Sequence, residues 1–502
     1  MNDDACGASS RPSPWIWMSI ASIMTIGLFL RFLFMTGPIG GDDVRYLEFM
    51  DYFLSFQRYA RDETAGNRFL FLLIAGLPYR IWGHEIHSIL AIILVSGITD
   101  IITVTYCYRR FGATSALFAT IPLAFNAIQI ICTGMMLPDP LLSLCLLVAV
   151  LFFQHSLEEG ERRKRLWKFA LFGFLTTLCY SCKETAIILV PFAACWSWYA
   201  LRGEALSGKA IHLVALLGGV AVGTLLDGLL FVAYTGEFFH RYSSLNAAFA
   251  AERPGQDFLG VLHLNAMRFF KTFRSVGGWV ISFQCGLVAM GLALWRASAA
   301  RVCSAFGLCF LLFLFFGVST ISPWRQLPLQ IRYLQPVIPF IAISLAALTS
   351  TLPWLQRKRR AMAFCGLLAC FHIGVESGAV ISDAGLEKDS DFLQGVRTAL
   401  EILEGEGKDF YVDGYLHYVS RQSLSSSFYR RLKIIPDHGP FPEGYYIPYS
   451  KKSPSPSDDS FRIKLRFNLD WRIANRFRTG KPKARSYGEV VVYEKVGGQQ
   501  PP

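Results

Sequence analysis

Residues 14–36 read PWIWMSIASIMTIGLFLRFLFMT, and residues 39–46, which follow almost at once, read IGGDDVRY. The first stretch has the length and apolarity of a helix that crosses a bilayer, which takes about 20 residues. The second places two adjacent carboxylates, Asp42 and Asp43, with Arg45 and Tyr46 where that helix would leave the membrane.

The same apolar pattern recurs along the chain. About eleven spans are expected, at 14–36, 86–107, 113–132, 137–154, 167–181, 184–201, 210–234, 276–295, 302–321, 333–350 and 360–380. Of the 502 residues, 53% are hydrophobic and only 17% charged, and the mean hydropathy is +0.36. A soluble chain of this length would carry clearly more charge. The composition therefore predicts a polytopic α-helical membrane protein.

The formal charge of +12 does not indicate nucleic acid, because the basic residues sit in short loops between apolar runs. Arg109-Arg110, Arg162 to Arg165, Arg202 with Lys209, Arg296 with Arg301, and Lys358 to Arg360 all fall on one side of the expected ladder. The positive-inside rule makes that side cytoplasmic, along with residues 1–13. An odd number of spans then sends the region after residue 380 outside. Five other polar features fall on that outer face: Asp42-Asp43, the loop up to His87, Asp139 between two prolines, Lys183-Glu184, and Arg332-Tyr333.

Two outer loops are long for connectors. In the first, 37–86, Phe49, Met50, Phe53, Leu54 and Phe56 make an apolar stripe among charged residues, as expected of helices lying in the membrane interface. The second, 236–275, mixes aromatic residues with Arg241, Arg253, Arg268, Lys271 and Arg274, which suits anionic headgroups or a lipid phosphate. Residues 381–502 are polar, with helical periodicity at 389–404, strand patterns at 410–413 and 490–493, and a Ser-Pro loop at 453–457. They are expected to form a small extracytoplasmic α+β domain. Of the twelve cysteines, none lies after Ile381. Cys179 and Cys182 form a C-x-x-C on an apolar helix without a second pair, as buried, inert thiols do.

Each polar constellation also has a plain structural reading. An Asp after Gly-Gly is a natural helix N-cap, but capping accounts for only one of Asp42 and Asp43. Adjacent carboxylates raise each other's proton affinity, which suits one of them to act as a base. Asp139, followed by Pro140, is equally a cap or a substrate-facing acid. Lys183-Glu184 is either an interfacial ion pair or a cation aimed at a phosphate, and Arg332-Tyr333 is an interfacial anchor or a further contact. Asp100 and Asp227 lie within apolar runs, where a carboxylate costs about 2.5–3.5 kcal/mol on insertion scales, and neither has a partner evident in sequence. His84 and His87 lack companions at metal-ligand spacing.

The order of these features resembles the GT-C superfamily of membrane glycosyltransferases, in the branch of protein O-mannosyltransferases and the aminoarabinose transferase of lipid A. The likeness runs over residues 14–350. It is carried by Asp42-Asp43-Val-Arg45-Tyr46, Asn67-Arg68, the stretch from Gly76 to Gly83, Met136-Leu-Pro-Asp139-Pro, Cys182-Lys183-Glu184-Thr185 and Arg332-Tyr333-Leu-Gln-Pro.

The resemblance implies an inverting transfer of a sugar from a polyprenyl phosphate. Asp42 would be the base, and Asp43 would position it or hold the sugar. Arg45, Arg68, Lys183 and Arg332 would contact the lipid phosphate, and Tyr46, Asp139, Glu184 and Tyr333 would contact substrate. Two departures stand out: the second acid is Asp where Glu is commoner, and Arg68 stands near a position where relatives carry lysine. No cofactor or metal is expected to be essential, since the protein supplies the cations, although some relatives use a divalent ion. The expected partners are membrane lipids, the lipid-linked donor and an envelope acceptor (glycolipid, polysaccharide or protein), at a bacterial inner membrane with the site facing the periplasm. A transporter or flippase, and a polymerase or ligase using a pyrophosphate-linked donor, are the competing functions.

Overall fold

The computed structural model describes residues 14–35, 42–58, 64–82, 85–252, 257–274, 278–321, 324–327, 331–383, 409–412, 432–434, 444–447, 461–468 and 489–495. The chain divides into two compact units: Met1–Met35 with Phe49–Val380, and Thr36–Glu48 with Ile381–Pro502. The double-aspartate stretch therefore groups with the C-terminal region rather than with the apolar helices that flank it in sequence.

The first unit is a helical bundle. In chain order its helices are α1 (Pro14–Leu33), α2 (Asp42–Leu54, which begins in the second unit), α3 (Phe69–Trp82), α4 (Glu85–Phe111), α5 (Ala113–Phe125), α6 (Ala127–Thr133), α7 (Asp139–Leu157) and α8 (Arg162–Cys182). There follow α9 (Leu189–Ala200), α10 (Leu206–Thr235), α11 (His240–Glu252), α12 (Phe258–Arg274), α13 (Gly278–Arg296), α14 (Arg301–Phe316), α15 (Ile338–Ser350) and α16 (Lys358–Asp383). Each expected apolar run contains helix. Among the described residues, six helices are long and apolar enough to cross a membrane (α1, α4, α7, α10, α14 and α15, the last two with their preceding 3-10 turns), or seven if α5 and α6 form one bent span. The chain is thus an integral membrane protein.

Two expected spans are reshaped by local chemistry. The run at 113–132 bends by 54° at Asn126, whose side chain caps α6 by accepting from the backbone N–H of Ile128 and of Gln129 at 3.1 and 3.3 Å. A cap of this kind is worth about 1 kcal/mol. Asn126→Ala is expected to lower stability by that amount, read from the thermal unfolding midpoint in detergent, and an unchanged midpoint would show that the bend is held by packing alone. The run at 302–321 does not stay helical to its end. At Gly317 the backbone turns extended (φ −66, ψ 162), and the β-branched residues beyond it form β1 (Val318–Ile321), paired antiparallel with β2 (Trp324–Gln326).

α8 and α10 approach so closely that only glycine fits between them. A β-carbon at Gly219 would stand 1.8 Å from the Ala170 carbonyl oxygen, and one at Gly173 would stand 2.1 Å from that of Leu216. Small residues let helix backbones meet in this way in membranes. Gly219→Val is expected to destabilise the bundle by about 1–3 kcal/mol or more through overpacking, seen as a lower yield of folded protein and a lower unfolding midpoint. Parental values for both would contradict the close approach.

The two isolated intramembrane acids acquire partners. Asp100 pairs with Arg31 of α1 at 2.5 Å, both buried. Arg31 also donates to Ser96 Oγ at 2.7 Å and to the Leu123 carbonyl at 2.6 Å, an acceptor left over where α5 breaks. Gln129 bridges Ser96 and Asp100 at 3.0 and 3.4 Å, and Gln335 in turn donates to Gln129 and Thr133 at 3.1 and 3.0 Å. Asp227 of α10 binds Arg241 of α11 through both oxygens, at 3.2 and 3.0 Å. These carboxylates tie separate segments of the bundle to one another.

The two loops expected on the outer face are helical where interfacial helices are expected, but their side chains turn inward more than the sequence suggests. Phe49 and Met50 are buried, Phe53 stacks on Phe69 and meets Tyr234, and Met50 and Leu54 lie against α3 at Gly76. The stripe on α2 thus faces protein, and only Phe56 stands out at 84% exposure. Two basic residues of the second loop, Arg241 and Arg268, are also committed. Arg268 donates to the Phe315 and Leu327 carbonyls at 3.1 and 2.7 Å, and Asn265 donates to that of Phe316 at 3.1 Å, so α12 satisfies the open C-terminus of α14.

In the second unit, β3 (Phe410–Val412), β4 (Leu432–Ile434), β5 (Gly444–Ile447), β6 (Phe461–Asn468) and β7 (Glu489–Lys495) form one sheet in the order β4-β3-β5-β7-β6. β3 lies parallel to both β4 and β5, whereas β7 runs antiparallel to β5 and β6. Tyr411 and Tyr446 stack across β3 and β5 at 4.9 Å. The helix expected at 389–404 and the loop at 453–457 lie outside the described residues.

Candidate active site

Three of the basic loops of the expected ladder meet at one end of the first unit. Arg110 at the end of α4 pairs with Glu158 at the end of α7, Arg165 at the start of α8 pairs with Glu204 before α10, and Lys168 pairs with Glu159 at 2.6 Å. The candidate site residues of this unit lie at the other ends of the same helices: Asp139 opens α7, and Lys183 follows α8.

Lys183 is where α8 stops. Its backbone is extended (φ −161, ψ 141), a 3-10 turn over Glu184–Ile188 follows, and its side chain is turned into the protein. The ammonium lies 2.5 Å from Asp139 Oδ1, with side-chain exposures of 4% and 1%. It also lies 3.6 Å from the centre of the Tyr333 ring, close enough for a strong cation–π contact. Asp139 is therefore not acting as a cap. One of its oxygens holds Lys183, and the other, Oδ2, is buried without a hydrogen-bond partner among the described residues.

Two more cations approach this pair. Arg332 stands 5.6 Å from the Tyr333 ring centre, at the start of the 3-10 turn Ile331–Val337. Arg68, buried just after the 3-10 turn Thr64–Asn67, lies 3.6 Å from Glu184. Glu184 Oε1 is buried with no hydrogen-bond partner among the described residues. Burial holds the Lys183 ammonium below the usual lysine range, to about 8. Asp139 opposes that shift, and the positive charges of Arg332 and Arg68 add to it.

Four separate segments thus bring Arg68, Asp139, Lys183, Glu184, Arg332 and Tyr333 into one cluster, in which the described residues include three cations and two carboxylates. Buried cations hold an anion with little competition from water, and guanidinium groups suit phosphate oxygens through paired, charge-assisted bonds.

The remaining candidates belong to the second unit. Asp42 and Asp43 open α2, as their position after Gly-Gly predicts, and their carboxylates lie outside the described residues. Arg45 is half-buried and Tyr46 is buried. Sequence reasoning missed Arg31 and the pairing of Asp227 with Arg241. The first carried a signal, a charge in an apolar run; the second was hidden by a turn between helices.

No protein-family model and no curated protein sequence matches the chain. Solved structures do. ArnT from Cupriavidus metallidurans bound to undecaprenyl phosphate is 13% identical, with a TM-score of 0.52 over 98% of this chain and 100% of that one. The apo state of the same protein gives 0.52 at 13% identity, over 96% and 98%. The arabinosyltransferase EmbB from Mycobacterium smegmatis is also similar, at 14% identity and 0.43 over 67% of this chain and 31% of that one. Across nearly its whole length, this chain shares the fold of ArnT from Cupriavidus metallidurans.

Proposed function

We propose that this protein is an inverting glycosyltransferase that moves one monosaccharide from a polyprenyl phosphate to an envelope acceptor on the outer face of a bacterial inner membrane. The observation that carries this reading is the buried cluster of Lys183, Arg68 and Arg332, in a fold shared with a protein crystallised with undecaprenyl phosphate. As the glycosidic bond breaks, negative charge develops on the departing lipid phosphate. Preplaced cations in a dry site stabilise that charge without having to reorganise.

In this reading Asp42 takes the proton from the acceptor hydroxyl as it attacks the anomeric carbon, and Asp43 holds that base or a sugar hydroxyl. Arg68, Lys183 and Arg332 hold the phosphate, and Arg45 is a further phosphate contact implied by the resemblance. The oxygens of Asp139 and Glu184 that have no partner among the described residues are acceptors for sugar hydroxyls. A transporter is the weaker reading, because it uses polar groups near the bilayer midplane, whereas Asp100 and Asp227 are each taken up by an arginine.

The test is transfer from a panel of polyprenyl-phosphate monosaccharides by the purified protein with extracted envelope lipids, with and without EDTA. Transfer from one donor, indifferent to EDTA, is the expected result. No transfer from any donor, together with an Asp42→Asn strain indistinguishable from its parent, would sink the reading.

A further inference from the structure

α11 makes two sets of polar contacts one turn apart, and each ends beside a cation of the cluster. The first centres on Arg241, which holds Asp227 through Nε and Nη2 at 3.2 and 3.0 Å and donates Nη1 to the Tyr180 carbonyl at 2.9 Å. Ser181 donates to the same Asp227 at 2.7 Å. Two consecutive residues of α8's last turn are therefore tied to one buried pair, and Lys183 comes two residues later. The second set is at Ser244, which accepts from Asn67 Nδ2 at 2.6 Å and donates to the Arg241 carbonyl at 3.1 Å. Asn67 is the residue before Arg68.

The arrangement is specific to arginine. Tyr180's carbonyl belongs to the set left open where a helix ends, and a cation there also complements the helix dipole. The planar fork meets two carboxylate oxygens and a carbonyl at once, which a lysine cannot do. A buried ion pair is by itself weak evidence for stability, so stability alone does not explain its place in an apolar helix. What the pair does fix is the direction in which the chain leaves α8, and hence where the Lys183 ammonium meets Asp139.

We infer that Arg241, locked by Asp227, is a positioning residue that sets Lys183 to receive a lipid-borne phosphate. The inference rests on the phosphate-binding role proposed above for that cation. It assigns Arg241 no contact with the lipid; its effect reaches the ligand through the last turn of α8 and Lys183.

The experiment measures undecaprenyl phosphate binding to the full chain in nanodiscs, for the parent, Arg241→Lys, Lys183→Met and the double variant, with the thermal midpoint of each. Arg241→Lys is expected to weaken binding by about tenfold or more, as befits loss of charge-assisted bonds that hold a site, with a midpoint close to the parent's. The double variant is expected to bind no more weakly than Lys183→Met alone, because residues acting as one unit are not additive. Full additivity would overturn the inference by making Arg241 an independent contact, and so would parental binding by Arg241→Lys beside a weakened Lys183→Met. Parental binding by Lys183→Met would instead sink the phosphate-binding role itself. Should Arg241→Lys not fold, Ser181→Ala replaces it. A loss of about threefold is then expected for one hydrogen bond, and unchanged affinity would overturn the inference.

Discussion

Asp42→Asn is expected to lower turnover by about 10²–10⁴-fold, the usual contribution of a general base, while leaving the unfolding midpoint where it was. Asp42 opens α2, and Asn is nearly isosteric with Asp, so D42N removes the proposed base with little other change. Asp42→Ala is expected to show the same loss of turnover. Asp43→Asn should cost less, since a neighbour that only holds the base or a sugar hydroxyl is partly replaced by an amide. The assay is single-turnover transfer at saturating donor, with circular dichroism and thermal unfolding alongside. Turnover by D42N within about threefold of the parent would remove Asp42 from the chemistry, and a larger loss in Asp43→Asn would exchange the two roles.

What could be read from the sequence and what could not divides along physical lines. Apolar run length located every long helix, because a bilayer demands about 20 apolar residues whatever the packing inside. The alternation of basic loops placed Asp139, Lys183-Glu184 and Arg332-Tyr333 on one face, and the fold brings those segments and Arg68 together. Pairings between distant segments were not legible. Arg31 and Asp100 are 69 residues apart, and Gln335 reaches Gln129 across 206. No local pattern encodes such contacts, which exist only once the helices have packed. The apolar stripe on α2 misled for a related reason. Hydrophobicity says that a face is buried but not whether lipid or protein covers it, and here Phe49 and Met50 are buried in protein. Arg268 looked like a headgroup contact and is instead a cap for α14.

Lys183→Met is expected to lower kcat/KM by about 10²–10³-fold, the range for removing one preorganised group that stabilises transition-state charge, and Asp139→Asn to make binding depend on pH. The sign follows from the surroundings of the lysine. Burial, with Arg332 and Arg68, depresses the ammonium's pKa to about 8, and Asp139 is the group that resists this. A lysine is charged below its pKa and neutral above it, so the parent holds its full set of cations below about pH 8 and loses one as pH rises beyond it. Without Asp139 the same loss begins at lower pH. A bound phosphate restores the opposing charge and draws the proton back. Above the free lysine's pKa, binding therefore takes up a proton, and the apparent affinity falls up to tenfold per pH unit. Undecaprenyl phosphate is a suitable probe between pH 7 and 9, because the second ionisation of a phosphate monoester, near 6, is largely complete there. The affinity of Asp139→Asn is expected to decline throughout that window, and the parent's only in its upper half. Superimposable profiles would mean that Asp139 does not govern the charge of Lys183. Lys183→Met, with nothing left to titrate, should bind weakly and evenly across the range.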